Sequence, residues 1–188
     1  TEVALLLTST LKAKTAAEPL TLTEYNDVVR GLVERGMRPS DLLNGIPEGL
    51  LEAADDRLAR LLGRGVALAD ARMAWSNRGI WVVGRSDEHY PQRIAEKLKS
   101  QRPPLFYGVG NPELMNRPSF GMVGSRETSE DVLNWVQELA AQRVALGEVV
   151  VSGGAKGVDL AAMVGALEAG GGSIGLLAND LAKLALSK

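Results

Sequence analysis

The stretch Val149-Val150-Val151-Ser152-Gly153-Gly154-Ala155-Lys156-Gly157-Val158-Asp159 decides the fold. A short β-branched run ends in a glycine-bearing loop, and an amphipathic segment follows, so the stretch reads as strand, tight loop and helix. The same order occurs about 28 residues earlier, where Phe120-Gly121-Met122-Val123 runs into Gly124-Ser125-Arg126. Loops of this kind present backbone N–H groups and the positive end of a helix dipole, where a phosphate binds well. Two of them so close in sequence are expected side by side on one parallel sheet, with Arg126 and Lys156 completing a cradle for an anion.

Working outward, the pattern from Phe120 predicts strand 120–123, helix 130–146, strand 149–151, helix 159–169 and strand 173–177. Alternation of this kind implies a parallel sheet with right-handed crossovers. The first helix has Thr128-Ser129-Glu130-Asp131 as a start signal of the Thr-x-x-acid type. Its expected buried face is Val132, Val136, Leu139 and Ala140; that of the second is Leu160, Met163, Val164 and Leu167. Three strands fall short of the five or six of a doubly wound domain, so the sheet is expected to continue past Leu184-Ala185-Leu186-Ser187-Lys188.

Upstream, residues 1–76 read as helical. Leu5, Leu6 and Leu7 open the chain. Thr23 and Glu24 start a helix through Val28, Val29, Leu32 and Val33 that Gly36 ends, and Pro39-Ser40-Asp41 caps a short segment. Leu51, Ala54, Leu58, Leu61 and Leu62 recur at helical spacing, with Gly63 and Gly65 dividing that segment into two helices. Ile80-Trp81-Val82-Val83 and Leu105-Phe106-Tyr107 are strand-like runs. The expected organisation is a helical domain over 1–76 and a Rossmann-like α/β domain over 77–188, its parallel sheet carrying helices on both faces.

Composition narrows the chemistry. The chain has 188 residues, 45% hydrophobic and 23% charged, enough for a core and a hydrated surface. A net charge of −2 means that any nucleic-acid contact must be local. With no cysteine and one histidine, thiolate and multi-histidine metal sites are excluded, and no metal or cofactor is expected. No apolar run is long enough to span a bilayer and no leader pattern opens the chain, so a cytoplasmic protein without membrane contact is expected.

Two other motifs mislead. Gly170-x-Gly172-x-x-Gly175 has the letters of a dinucleotide fingerprint but precedes a strand instead of joining strand to helix. Lys156 is followed by Gly157, not Ser or Thr, so the second loop is not a Walker loop. His89, in Asp87-Glu88-His89-Tyr90-Pro91, sits in a turn beside two acids and reads as a surface or capping residue. No Ser–His–acid set can be built, and a non-catalytic protein is expected. Asp159 sits where it could cap its helix or bind a ribose or a loop amide.

Taken together, Tyr90-Pro91, Ile94, Pro103-Pro104-Leu105-Phe106-Tyr107-Gly108-Val109-Gly110, Met122-Val123-Gly124-Ser125-Arg126, the Ser152–Asp159 loop, Ala166-Leu167 and Ile174-Gly175-Leu176 resemble the DNA-processing protein A (DprA/Smf) family over about residues 80–178. The chain departs from the family pattern at Ala162-Met163, where Ala-His is usual, and at Ala178-Asn179-Asp180, where Gly-Leu-Asp is usual. The resemblance implies a Rossmann-like fold, single-stranded DNA binding, homodimerisation and loading of a RecA-type recombinase in transformation and recombination. It places Gly124, Ser125, Arg126, Gly153, Gly154, Lys156 and Gly157 in the phosphate-binding pocket. The alternative is a nucleotide-binding or phosphoribohydrolase-like domain, which would need a Pro-Gly-Gly-x-Gly-Thr-x-x-Glu segment that these residues lack.

Overall fold

The computed structural model describes residues 1–13, 17–50, 55–178 and 181. Leu51, Ala54, Asn179-Asp180 and Leu184–Lys188, named above, lie outside the described residues. The chain forms two compact units, Thr1–Val109 and Gly110–Lys188. The strand-like runs near 81 and 105 thus fall in the first unit. None of the described helices is long and apolar enough to cross a membrane.

The first unit contains α1 (Glu2–Thr8), α2 (Leu22–Glu34), α3 (Asp55–Leu62), α4 (Gly65–Ser76), β1 (Trp81–Gly84), α5 (Gln92–Leu98) and β2 (Leu105–Gly108). Its core gathers Val3, Leu7, Val28, Leu32, Leu42, Leu58 and Leu61 from four of its helical segments. β1 and β2 pair antiparallel, Trp81 opposite Gly108 and Gly84 opposite Leu105. The start of α2 lies two residues before the expected one. Thr21 is the N-cap, and a full capping box joins it to Glu24. Arg57 reaches back across the fold to Glu24 at 2.7 Å, so one carboxylate serves both a helix start and an ion pair. Arg64, 4% exposed, donates to the carbonyls of Leu6 and Ser9 and so satisfies the end of α1.

The second unit contains β3 (Ser119–Gly121), α6 (Glu130–Ala145), β4 (Val149–Ser152), α7 (Val158–Glu168) and β5 (Ser173–Gly175). The strands form a parallel sheet in the order β3-β4-β5, Phe120 beside Val150 and Val151 beside Ile174. Both crossovers advance in the same direction, so α6 and α7 share one face of the sheet and pack on each other. The expected α/β class with a parallel sheet and a helical N-terminal region is present, but instead of lying on both faces, the described helices of this unit, α6 and α7, share one.

Three sequence expectations fail here. The Thr-x-x-acid cap of α6 does not form: the N-cap is Ser129, without a side-chain bond, and Glu130 and Asp131 occupy the first turn. The buried face of α7 is also different. Ala161, Ala162, Gly165 and Ala166 face the core, while Leu160 and Leu167 are 51% and 58% exposed. The cause is the close approach of the two helices. A Cβ on Gly165 would lie 2.6 Å from the Gln137 backbone, so only small residues fit between α6 and α7. On α6, Val136 and Ala140 are buried as expected, but Val132 is 41% exposed.

Two measurements follow. Gly165→Ala is expected to destabilise the second unit by about 1–3 kcal/mol in urea unfolding, because the added methyl meets backbone that cannot rotate away. For the first unit, the Arg57 side chain above all, and then the Thr21 N–H, hold the Glu24 carboxyl down at about 2, below its ordinary 4.5. A depressed carboxyl contributes stability above its unfolded value and loses it as pH falls. Stability should therefore drop between pH about 4.5 and about 2, and Glu24→Gln should flatten that part of the profile.

Candidate phosphate-binding site

Parallel neighbours leave the sheet in the same direction, so the loops after β3 and β4 emerge side by side at its C-terminal edge, the usual ligand edge of such sheets. What joins them is Asp159, in the first turn of α7. Its Oδ1 accepts from the N–H of Gly124 at 3.2 Å and its Oδ2 from the N–H of Gly153 at 3.1 Å. The carboxylate is 7% exposed. Of the roles open to it from sequence, the structure selects binding of loop amides, in both loops at once.

Three further contacts interlock the loops. Val158 donates its N–H to the Ser125 carbonyl at 3.1 Å. Ser152, 3% exposed, donates its hydroxyl to the Met122 carbonyl at 2.7 Å. Gly157 sits at φ +88°, and a Cβ there would lie 2.3 Å from the Ser125 oxygen and 2.8 Å from Arg126 Cα. Only glycine tolerates both the backbone angle and the approach. Gly124 is pressed against Val158 in the same way, and Gly154 lies against Leu177, just past β5.

The seven site residues expected from sequence are therefore brought together, but their work divides differently. The Gly124 and Gly153 amides were expected to face a ligand; they are taken by Asp159. The Ser125 hydroxyl donates to the Glu127 carbonyl at 2.6 Å and accepts from the Glu127 N–H at 3.2 Å, which closes a tight turn. Glu130 and Asp131 place negative charge at the start of α6 and offset its dipole. What remains for an anion is the pair of cations. Arg126 and Lys156 are exposed, and among the described residues neither has a hydrogen bond or ion pair. Their loops touch through Gly157 and Arg126. The site is an open shelf with two exposed cations on hydrogen-bonded loops.

Sequence reasoning missed the Ser152–Met122 and Val158–Ser125 bonds, which join groups 30 and more residues apart in the chain and leave no local signal. The double role of Asp159 makes a direct prediction. In Asp159→Asn one of the two loop N–H groups faces an amide NH₂ and loses its acceptor. The variant should lose about 2–4 kcal/mol of stability in urea unfolding, and should exchange the Gly124 and Gly153 amide protons faster.

The chain matches known proteins over this region. The family model described as DNA recombination-mediator protein A matches residues 81–187. DNA processing protein DprA of Streptococcus pneumoniae (strain ATCC BAA-255 / R6) is 35% identical over 95 residues, which is 50% of this chain and 33% of that protein. The X-ray structure of DNA processing protein A (DprA) from Streptococcus pneumoniae superposes with a TM-score of 0.55 at 26% identity. It covers 83% of this chain and 55% of the solved one. The chain thus spans about a third of the curated relative's length. With its model matched over more than half of these residues, and with the paired loops and parallel sheet in place, the chain belongs to the DNA recombination-mediator protein A family.

Proposed function

We propose that this chain binds single-stranded DNA without catalysing a reaction, and that it supports the loading of a RecA-type recombinase in DNA uptake and recombination. The observation that carries the reading is the shelf itself: Arg126 and Lys156, exposed and unpaired among the described residues, on loops that Asp159 ties together. Two exposed cations on adjoining loops suit the phosphates of a strand. An open shelf admits a continuing chain in both directions, whereas a mononucleotide site is concave. Family membership supports DNA as the polyanion, and a homodimer in the cytoplasm suits the role.

The nucleotide-processing alternative takes its acid from a Pro-Gly-Gly-x-Gly-Thr-x-x-Glu segment, which these 188 residues lack. Asp159, the acid that joins the loops, is buried and bonded to two amides, a structural task.

On this reading affinity is insensitive to base sequence and falls with salt. Arg126→Ala and Lys156→Ala should each weaken binding of a fluorescein-labelled oligo-dT about tenfold, the worth of one charge-assisted phosphate contact. Each should also lower the slope of log affinity against log salt by about 0.7. Unchanged affinity in both variants would falsify the proposal.

A further inference from the structure

Residues 92–102, which lead from β1 into β2, carry Arg93, Lys97, Lys99 and Arg102 against a single carboxylate, Glu96. This is a net charge of +3 in a chain that is −2 overall. α5, which opens the segment, has no buried residue, and Arg93, Lys97 and Lys99 are exposed. A seven-residue helix with only Ile94 and Ala95 half-buried is too short to hold itself together in water. Its ends hold it instead. In front of it, Tyr90 is 1% exposed and its hydroxyl donates to the Pro103 carbonyl at 2.7 Å. Behind it, Asn26 donates to the Ser100 carbonyl at 2.9 Å, and the Arg85 guanidinium donates to the Arg102 carbonyl and, at 3.3 Å, to that of Pro103.

Between these anchors Lys99 has φ +49°, the one non-glycine residue at positive φ among the described residues. Strain of this kind persists only where the surroundings impose it. The cations therefore sit on a ridge whose backbone is anchored by hydrogen bonds at Ser100, Arg102 and Pro103. Lys97 and Lys99 make no hydrogen bond or ion pair among the described residues.

The ridge offers little to a protein partner. Leu98, 44% exposed, is its one large apolar side chain at the surface, and protein interfaces take most of their energy from a central cluster of such anchors. A polyanionic strand needs only closely spaced cations, because binding is driven by release of its counterions. We infer that the α5 ridge is a second contact for the phosphate backbone of a nucleic-acid strand, carried by the first unit and separate from the loop shelf of the second. This rests on the reading of single-stranded DNA as the ligand.

The test uses the whole chain and fluorescein-labelled oligo-dT, with anisotropy read across a salt series. The ridge variant is Lys97→Ala with Lys99→Gly, glycine being chosen because it relieves the positive φ. A thermal midpoint no lower than that of the unaltered chain confirms its fold. Lys12→Ala with Arg78→Ala removes the same charge from exposed positions elsewhere and serves as the control. The ridge variant should bind about 3–10-fold more weakly at low salt, with its log–log salt slope reduced by about 1.4. The control should keep the slope of the unaltered chain. An unchanged slope in the ridge variant, or equal losses in ridge and control, overturns the inference. If Arg126→Ala with Lys156→Ala abolishes binding while the ridge variant keeps its slope, the ridge fails and the shelf stands. If the unaltered chain does not bind the oligonucleotide, both fail.

Discussion

The second unit depends on one carboxylate accepting two hydrogen bonds from two different loops. Gly124 follows β3 and Gly153 follows β4, and Asp159 holds both N–H groups from the first turn of α7. Glycine-bearing loops carry a large conformational entropy, so without a tie Arg126 and Lys156 would sample many separations. The negative charge of Asp159 sits at the positive end of α7, where the helix dipole favours it. The cost of this arrangement is chemical. The amides that a phosphate would ordinarily use are filled from within, so external anions are left to side chains. Side-chain cations on an open shelf read charge and spacing but not base identity, which is the behaviour a sequence-independent strand binder needs.

The two loops were legible because their signal is local: a β-branched run, closely spaced glycines, and a helix start. The parallel pairing followed from the same alternation, and α6, β4, α7 and β5 begin within a residue of where periodicity puts them. The face of α7 was not legible. Val158-Asp159-Leu160-Ala161-Ala162-Met163-Val164-Gly165-Ala166-Leu167 is apolar nearly all round, so the helical period carries no direction. Counting side-chain size then selects Leu160 and Leu167, which are exposed, over Ala162 and Ala166, which are fully buried. The deciding quantity is the distance between α6 and α7 at Gly165 and Gln137, a tertiary property. Burial there is won by residues that let backbones approach, since dispersion contacts between close backbones replace those of large side chains.

In the first unit the hidden elements are arginines that bind distant carbonyls. Arg64 ends α1 from 55 and more residues away, and Arg85 gathers the Arg102 and Pro103 carbonyls beside the start of β2. Neither has a sequence signature, because a guanidinium can satisfy any carbonyl in reach and the sequence does not say which chain end lies near. The two-residue error at the start of α2 has a different origin. Thr21 and Thr23 both fit a helix start, but only Thr21 stands three residues before Glu24, so only Thr21 closes the capping box.

Net charge is the place where composition and structure part most clearly. A value of −2 argues against a nucleic-acid binder if every charge counts equally at the surface. They do not count equally here. Glu24 is matched by Arg57, Glu148 by Arg143 and Glu2 by Arg72. Asp87 accepts from the Gly84 N–H, and Asp159 from two loop amides. The three glutamates share their fields with an arginine a few ångströms away, and the two aspartates are engaged by backbone N–H groups of the fold. Arg126, Lys156, Lys97 and Lys99 have no such partner among the described residues, so their fields reach into solvent for the full screening length of about 8–10 Å at ordinary ionic strength. A chain that is acidic in total therefore still presents unpaired cations at particular places, while the exposed Glu127, Glu130 and Asp131 follow Arg126 in the chain. What decides is which charges the fold has already paired.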